Sequence, residues 1–96
     1  MGAKKQLELT EHAFRNIAAV EEYIAKDSPT AAQKVVKAIY STAEKLETFP
    51  EMGRPGRVPG TRELPLSEYP YTIVYRIKAS RVIIYAVLHQ SRQYPS

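Results

Sequence analysis

Residues 50–60, Pro-Glu-Met-Gly-Arg-Pro-Gly-Arg-Val-Pro-Gly, hold three prolines and three glycines. Proline removes a backbone donor and fixes φ, and glycine favours turns, so neither a helix nor a central strand crosses this segment. The prolines restrict the chain and the segment is short, so it reads as one ordered surface loop and not as disorder. It carries Arg54 and Arg57. It also divides the chain into a helical first half and a β second half.

Before the loop, Leu7 and Leu9 alternate with polar neighbours, which predicts a short strand over residues 4–9. Thr10 is placed as an N-cap, with Glu11 favourable in the first helical turn. A helix to about Lys26 follows, with an apolar stripe of Ala13, Phe14, Ile17, Val20 and Ile24. At Asp27-Ser28-Pro29 the serine suits an N-cap and the proline suits the first helical position. The second helix is expected over about 29–49, its stripe being Ala32, Val35, Val36, Ile39, Ala43, Leu46 and Phe49. The short break predicts an antiparallel helical hairpin.

After the loop, strands are expected at Thr61–Leu66, Tyr71–Ile77 and Arg81–His89. Lys78-Ala79-Ser80 makes a tight hairpin between the last two. The final strand is apolar on both faces and belongs inside the sheet. The order is β-α-α-β-β-β. It predicts a single α+β domain over residues 1–96, with the hairpin on one face of a mainly antiparallel four-stranded sheet.

A chain of 96 residues supplies one modest core, with no room for a large internal cavity. No cysteine is present, which excludes disulfides, thiolate metal sites and a cysteine nucleophile. His12 and His89 lie on different elements, so no metal and no cofactor is expected. Glu21-Glu22 and the Glu44/Glu47 pair read as solvated helix faces. Gly53, Gly56 and Gly60 precede a strand and do not fit a phosphate-loop spacing. No apolar run approaches a membrane span and no apolar leader follows Met1. A cytoplasmic protein without membrane contact is the expectation.

The net charge is +4, and its distribution matters more than its size. Residues 54–92 hold six of the seven arginines and only two acids, Glu63 and Glu68. A loop, a strand start and a strand end bring Arg57, Arg62, His89, Arg92 and Tyr94 into one candidate cluster. Arginine stabilises phosphate charge, and His or Tyr moves protons, as a metal-free ribonuclease requires. The same residues also suit a cationic docking surface.

Five stretches, read together, resemble the RelE/ParE superfamily of toxins from bacterial type II toxin-antitoxin operons. They are Asp27–Ala32 with Phe49–Arg57, then Val58–Leu64 with Tyr69–Arg76, and Val87–Pro95. The resemblance covers nearly the whole chain and implies the fold read above. It implies a toxin held silent by an antitoxin encoded beside it, whose C-terminal segment wraps the toxin. The pair represses its own operon, so operator DNA is met only through the antitoxin.

The superfamily has two branches. RelE-like members cut mRNA on the ribosome, while ParE-like members poison DNA gyrase. The strand on which RelE-like enzymes carry two lysines has Glu63 and Pro65 here, and Thr72 stands where an arginine follows the turn tyrosine. Those losses remove charge that RNA cleavage needs. The long hairpin and the Gly-Arg-Pro-Gly-Arg loop look ParE-like. The resemblance therefore implies a gyrase inhibitor, with target contacts at Arg54, Arg57, Arg92 and Tyr94. The alternative is an mRNA endoribonuclease with His89, Arg92, Tyr94 and Arg62 as its catalytic set. The antitoxin contact is expected in the groove between the first helix and the sheet.

Overall fold

The computed structural model describes residues 4–91. The elements are β1 (Gln6–Leu9), α1 (Glu11–Ala25), α2 (Pro29–Thr48), a 3₁₀ turn at Pro50–Met52, β2 (Arg54–Pro55), β3 (Arg62–Pro65), β4 (Tyr71–Lys78) and β5 (Arg81–His89). The predicted caps are formed. The Thr10 hydroxyl accepts from the Ala13 N–H at 3.1 Å, and the Ser28 hydroxyl accepts from the Ala31 N–H at 3.1 Å, with Pro29 at the helix start. Each cap satisfies one otherwise orphaned helical donor.

The sheet runs β1-β5-β4-β3-β2. It has five strands where the sequence predicts four. The fifth is Arg54–Pro55, which pairs antiparallel with Glu63 and Arg62 inside the expected loop. Proline is tolerated there because β2 is an outer edge. β5 lies inside the sheet, antiparallel to β4 and parallel to β1, so the sheet is mixed.

Strand alternation separates two faces. Ile73 and Tyr75 of β4, with Val82, Ile84 and Val87 of β5, turn towards the helices and are buried. Ala13 and Ile17 of α1 meet them, as do Val35, Ile39, Ala43 and Leu46 of α2. Each fully enclosed Ile or Leu contributes about 1.5–3 kcal/mol. Two residues of the predicted stripes fall outside this core, Phe14 (52% exposed) and Phe49 (61% exposed). Successive helical residues are about 100° apart, so Phe14 is rotated off the face that Ala13 and Ile17 present. Phe49 is the C-cap of α2, where the chain has already left helical geometry.

The β4–β5 connection is a two-residue turn, Ala79–Ser80, closed by the Lys78–Arg81 pair. Ala79 has φ of 47°, in the left-handed region that a side chain disfavours. The turn is tied to the other end of the chain. Ser80 C=O accepts from the Gln6 N–H at 2.8 Å, and Lys5 Nζ donates to Ala79 C=O.

Replacing Ala79 by glycine removes that penalty. Ala79→Gly is expected to raise unfolding free energy by about 1 kcal/mol in urea denaturation. An unchanged or lower midpoint would show that the left-handed turn carries no strain.

Candidate functional site

The loop between α2 and β3 is built around one side chain. Tyr75 is fully buried, and its hydroxyl donates to Pro50 C=O at 2.7 Å. The same oxygen accepts from the Gly53 N–H at 2.8 Å. Gly53 has to be glycine, because a Cβ there would stand 2.6 Å from that hydroxyl and 2.9 Å from Glu63 C=O. Burial pushes the Tyr75 hydroxyl above the usual tyrosine pKa, although the Gly53 N–H and the Arg62 guanidinium pull the other way.

Arg62 belongs to this structural knot. Its register partner is Tyr75, so it faces the helix side of the sheet. Its guanidinium donates to Gly53 C=O at 2.7 Å and lies 3.5 Å from Glu51 C=O. Farther along, Gly56 N–H donates to Thr61 C=O at 2.8 Å and the Thr61 hydroxyl donates to Val58 C=O at 2.6 Å. Arg76 reaches across to Pro59 C=O at 3.2 Å and lies 5.9 Å from the Tyr85 ring centroid. Gly60, with φ of 85°, packs directly on the Arg76 guanidinium.

The held loop shapes a depression of about 330 Å³ on the sheet face opposite the helices. Arg54, Arg57, Glu63, Thr72, His89 and Gln90 line it. Thus the fold brings together Arg54, Arg57 and His89, three of the six candidates. It places the Arg62 guanidinium elsewhere, on the carbonyls beneath the loop. Arg92 and Tyr94 lie outside the described residues.

Glu63 changes the character of this depression. It is 6% exposed, and a carboxylate oxygen accepts from the Arg57 N–H at 3.1 Å. Arg54 is its cross-strand partner on β2. A carboxylate among the arginines cancels part of their positive potential where a phosphate would approach. The alternation of β3 makes this legible afterwards. Arg62 and Leu64 face the helices, which turns Glu63 and Pro65 onto the arginine side.

His89 stands at the end of β5. Its Nδ1 accepts from the Ser91 N–H at 3.1 Å and lies 2.6 Å from the Ser91 hydroxyl. An amide N–H only donates, so the neutral ring carries its proton on Nε2 and presents a donor there. The Tyr71 ring meets it edge-on, with centroids 5.2 Å apart. Among the described residues no group of three or more His, Asp or Glu side chains could hold a metal ion. No helix among them is long and apolar enough to cross a membrane.

Comparison with known proteins gives one consistent result. The pattern of the ParE toxin of the type II toxin-antitoxin system parDE matches residues 7–94. Y4kP of Sinorhizobium fredii is 41% identical over 93 residues, 97% of this chain and 96% of that one. Toxin RelE2 of Caulobacter vibrioides is 32% identical over 87 residues, covering 91% and 97%. Among solved structures, the chromosomal ParDE system of P. aeruginosa aligns with a TM-score of 0.81 at 27% identity, over 90% of this chain and 96% of that one. The RelBE2 toxin-antitoxin complex of Mycobacterium tuberculosis aligns at 0.66 and 21% identity, over 96% and 98%, a likeness of fold.

Two substitutions test this construction. Tyr75→Phe leaves the Gly53 N–H without its partner, and is expected to cost about 1–3 kcal/mol in chemical denaturation. A raised folded-state pKa means that the neutral hydroxyl stabilises the fold. Its contribution is complete below the unfolded tyrosine value of about 10 and is lost as pH rises through the folded one. The alkaline loss of stability should therefore be smaller in Tyr75→Phe than in the parent. Glu63→Gln removes the central negative charge and keeps an acceptor for Arg57. It should elute from heparin at higher salt than the parent, and earlier elution would contradict the assigned electrostatics.

Proposed function

Because the chain belongs to the ParE toxin family of type II toxin-antitoxin systems, we propose that it arrests growth by binding DNA gyrase and not by cutting RNA. The observation that carries this reading is the buried Glu63 carboxylate in the arginine-lined depression. A ribonuclease must stabilise charge that develops on a phosphate, and fixed positive groups aimed at it supply most of that effect. Here the strand position facing the arginines holds an acid. Arg62, which would add charge, is committed to the carbonyls of Gly53 and Glu51. The His89 Nδ1 is occupied by Ser91. Tyr75 is buried and structural, so it is no proton donor for a substrate.

An inhibitor needs a different surface. Arg54 and Arg57 are exposed on a loop held rigid by Tyr75, Arg62 and Arg76. Rigid presentation of cationic side chains lowers the ordering cost of binding a large partner. Arg54 and Arg57, with Arg92 and Tyr94 beyond the described residues, are the proposed target contacts. A cognate antitoxin is the proposed silencing partner, in keeping with the type II toxin-antitoxin family to which the chain belongs. The pair is proposed to repress its own operon, the antitoxin making the DNA contacts, in the cytoplasm.

One observation favours the ribonuclease as the second reading. The Caulobacter relative at 32% identity carries the name RelE2. In that case His89, Arg92, Tyr94 and Arg62 would form the catalytic set, acting on mRNA in the ribosome.

Purified protein in a gyrase supercoiling assay, beside primer extension on translated mRNA, separates the two. The expected result is inhibited supercoiling with intact mRNA. Arg54→Ala with Arg57→Ala should weaken the inhibition at least tenfold. Codon-phased mRNA cuts that disappear in the Arg92→Ala, Tyr94→Ala double variant would overturn the gyrase reading and establish the second.

A further inference from the structure

The outer side of α2 carries a second set of cations, apart from the arginine-lined depression. Lys34, Lys37 and Lys45 are exposed, as is Ser41 between them. At about 100° per residue, Lys34, Ser41 and Lys45 fall within about 40° of one another around the helix axis, and Lys37 stands about 60° from Lys34. The row runs along about 16 Å of α2, since each residue rises about 1.5 Å. Val35, Ile39, Ala43 and Leu46 hold the other face of α2 in the core, which fixes the lysines outwards.

The β3–β4 connection forms a second wall. Leu66 is buried in the core and Tyr69 packs against it, which brings Ser67 and Glu68 beside α2. The groove between the two walls encloses about 390 Å³. Its lining combines the three lysines, the hydroxyl-bearing Ser41, Thr42, Ser67 and Tyr69, and one acid, Glu68. Lys34, Lys37 and Lys45 take part in none of the ion pairs among the described residues.

This composition selects the partner. Protein interfaces rest on apolar and aromatic anchors and are poor in lysine, and none of the large exposed hydrophobic side chains lines the groove. Single-stranded nucleic acid needs rings on which bases stack, and Tyr69, the one ring in the lining, is packed on the core. Lysines interleaved with hydroxyls are instead the groups that hold phosphate oxygens without reading bases. A DNA duplex carries one charge per about 1.7 Å of its axis, so a row of this length meets several phosphates. The helices cover one face of the sheet, and the depression with Arg54 and Arg57 lies on the other. The two cationic surfaces thus belong to opposite layers of the fold and can engage two bodies at once.

We propose that the α2 lysine row binds the backbone of the duplex DNA that gyrase holds, while Arg54 and Arg57 meet the enzyme. This rests on the gyrase reading above. Lys34, Lys37 and Lys45 neutralise phosphates, and the Ser41 hydroxyl donates to a phosphate oxygen. Glu68, across the groove, opposes the contact. The contact reads no sequence, and it adds to the affinity of the toxin only where gyrase has DNA bound.

The test measures binding of the full-length, fluorescently labelled toxin to gyrase, with and without a bound duplex fragment, between about 50 and 200 mM salt. Bound DNA should tighten binding at least tenfold at the lower salt. The triple variant Lys34→Gln, Lys37→Gln, Lys45→Gln should lose that gain and still bind DNA-free gyrase as the parent does. Arginine at the same three positions should keep the gain, and Glu68→Gln should enlarge it. On the gyrase–DNA complex, the slope of log affinity against log salt should flatten by about 2.7 in the glutamine variant, about 0.9 for each phosphate contact. A parent that gains nothing from DNA, or a glutamine variant that gains as much as the parent, overturns the inference and leaves the gyrase reading intact. Equal weakening on DNA-free gyrase assigns the row to a protein contact and also overturns it. A toxin that binds no gyrase, with or without DNA, sinks the gyrase reading and this inference together, and lysine-dependent binding to ribosomes in its place would assign the row to ribosomal RNA.

Discussion

The Tyr75 hydroxyl donates to Pro50 C=O and accepts from Gly53 N–H, and through those two bonds the proline-rich loop becomes part of the sheet. Each such bond contributes about 0.5–1.5 kcal/mol net, but an unpaired buried donor costs more than that. The loop therefore has one favourable seat. Gly53 allows the close approach, Arg62 binds the Gly53 carbonyl just after the 3₁₀ turn, and β2 pairs with β3 only because the preceding residues are anchored. Arg54 and Arg57 take their positions from this chain of constraints. Their presentation is a property of β4, distant in sequence, more than of the loop itself.

The same anchoring explains the mixed charge of the depression. Arg62 points to the helix side to reach Gly53 C=O, so strand alternation forces Glu63 to the opposite face. There it meets the Arg57 N–H and sits opposite Arg54. A buried carboxylate needs such partners, since burial alone disfavours the charged form. The outcome is a surface cationic at its rim and acidic at its base. That pattern suits recognition of a protein partner better than stabilisation of a phosphate transition state.

At the other end of β5 the helical hairpin substitutes for sheet. β1 is only four residues long, so Thr10 and Asn16 complete part of the ladder from side chains and a helix start. The helix cannot follow the strand, because its rise of about 1.5 Å per residue is less than half that of a strand, and its side chains soon leave the edge. Among the described residues, β1 therefore accompanies β5 only from Arg81 to Ile84.

Local chemistry was readable along the chain. Ser28-Pro29 starts α2, the apolar stripes choose the inner helix faces, and the prolines of 50–60 exclude a helix, since each signal acts within a few residues. The family resemblance was legible for the same reason, in contiguous motifs. The short β2 was not, because a two-residue strand has no period and exists only against β3. Nor was the exposure of Phe14, which depends on how far α1 is rotated over the sheet. Arg62 and His89 looked like partners because both are chemically able. They are separated along the sheet, since Arg62 lies opposite Tyr75 and His89 opposite Tyr71, and Arg62 is drawn to Gly53 C=O, a carbonyl outside β3. The sequence by itself determined the order of elements, the caps, the charge asymmetry and the family. Tertiary structure alone decided which cations share a surface, that Glu63 lies among them, and that Asn16 and Thr10 bond the main chain of β5, because each depends on groups that only folding brings within hydrogen-bond range.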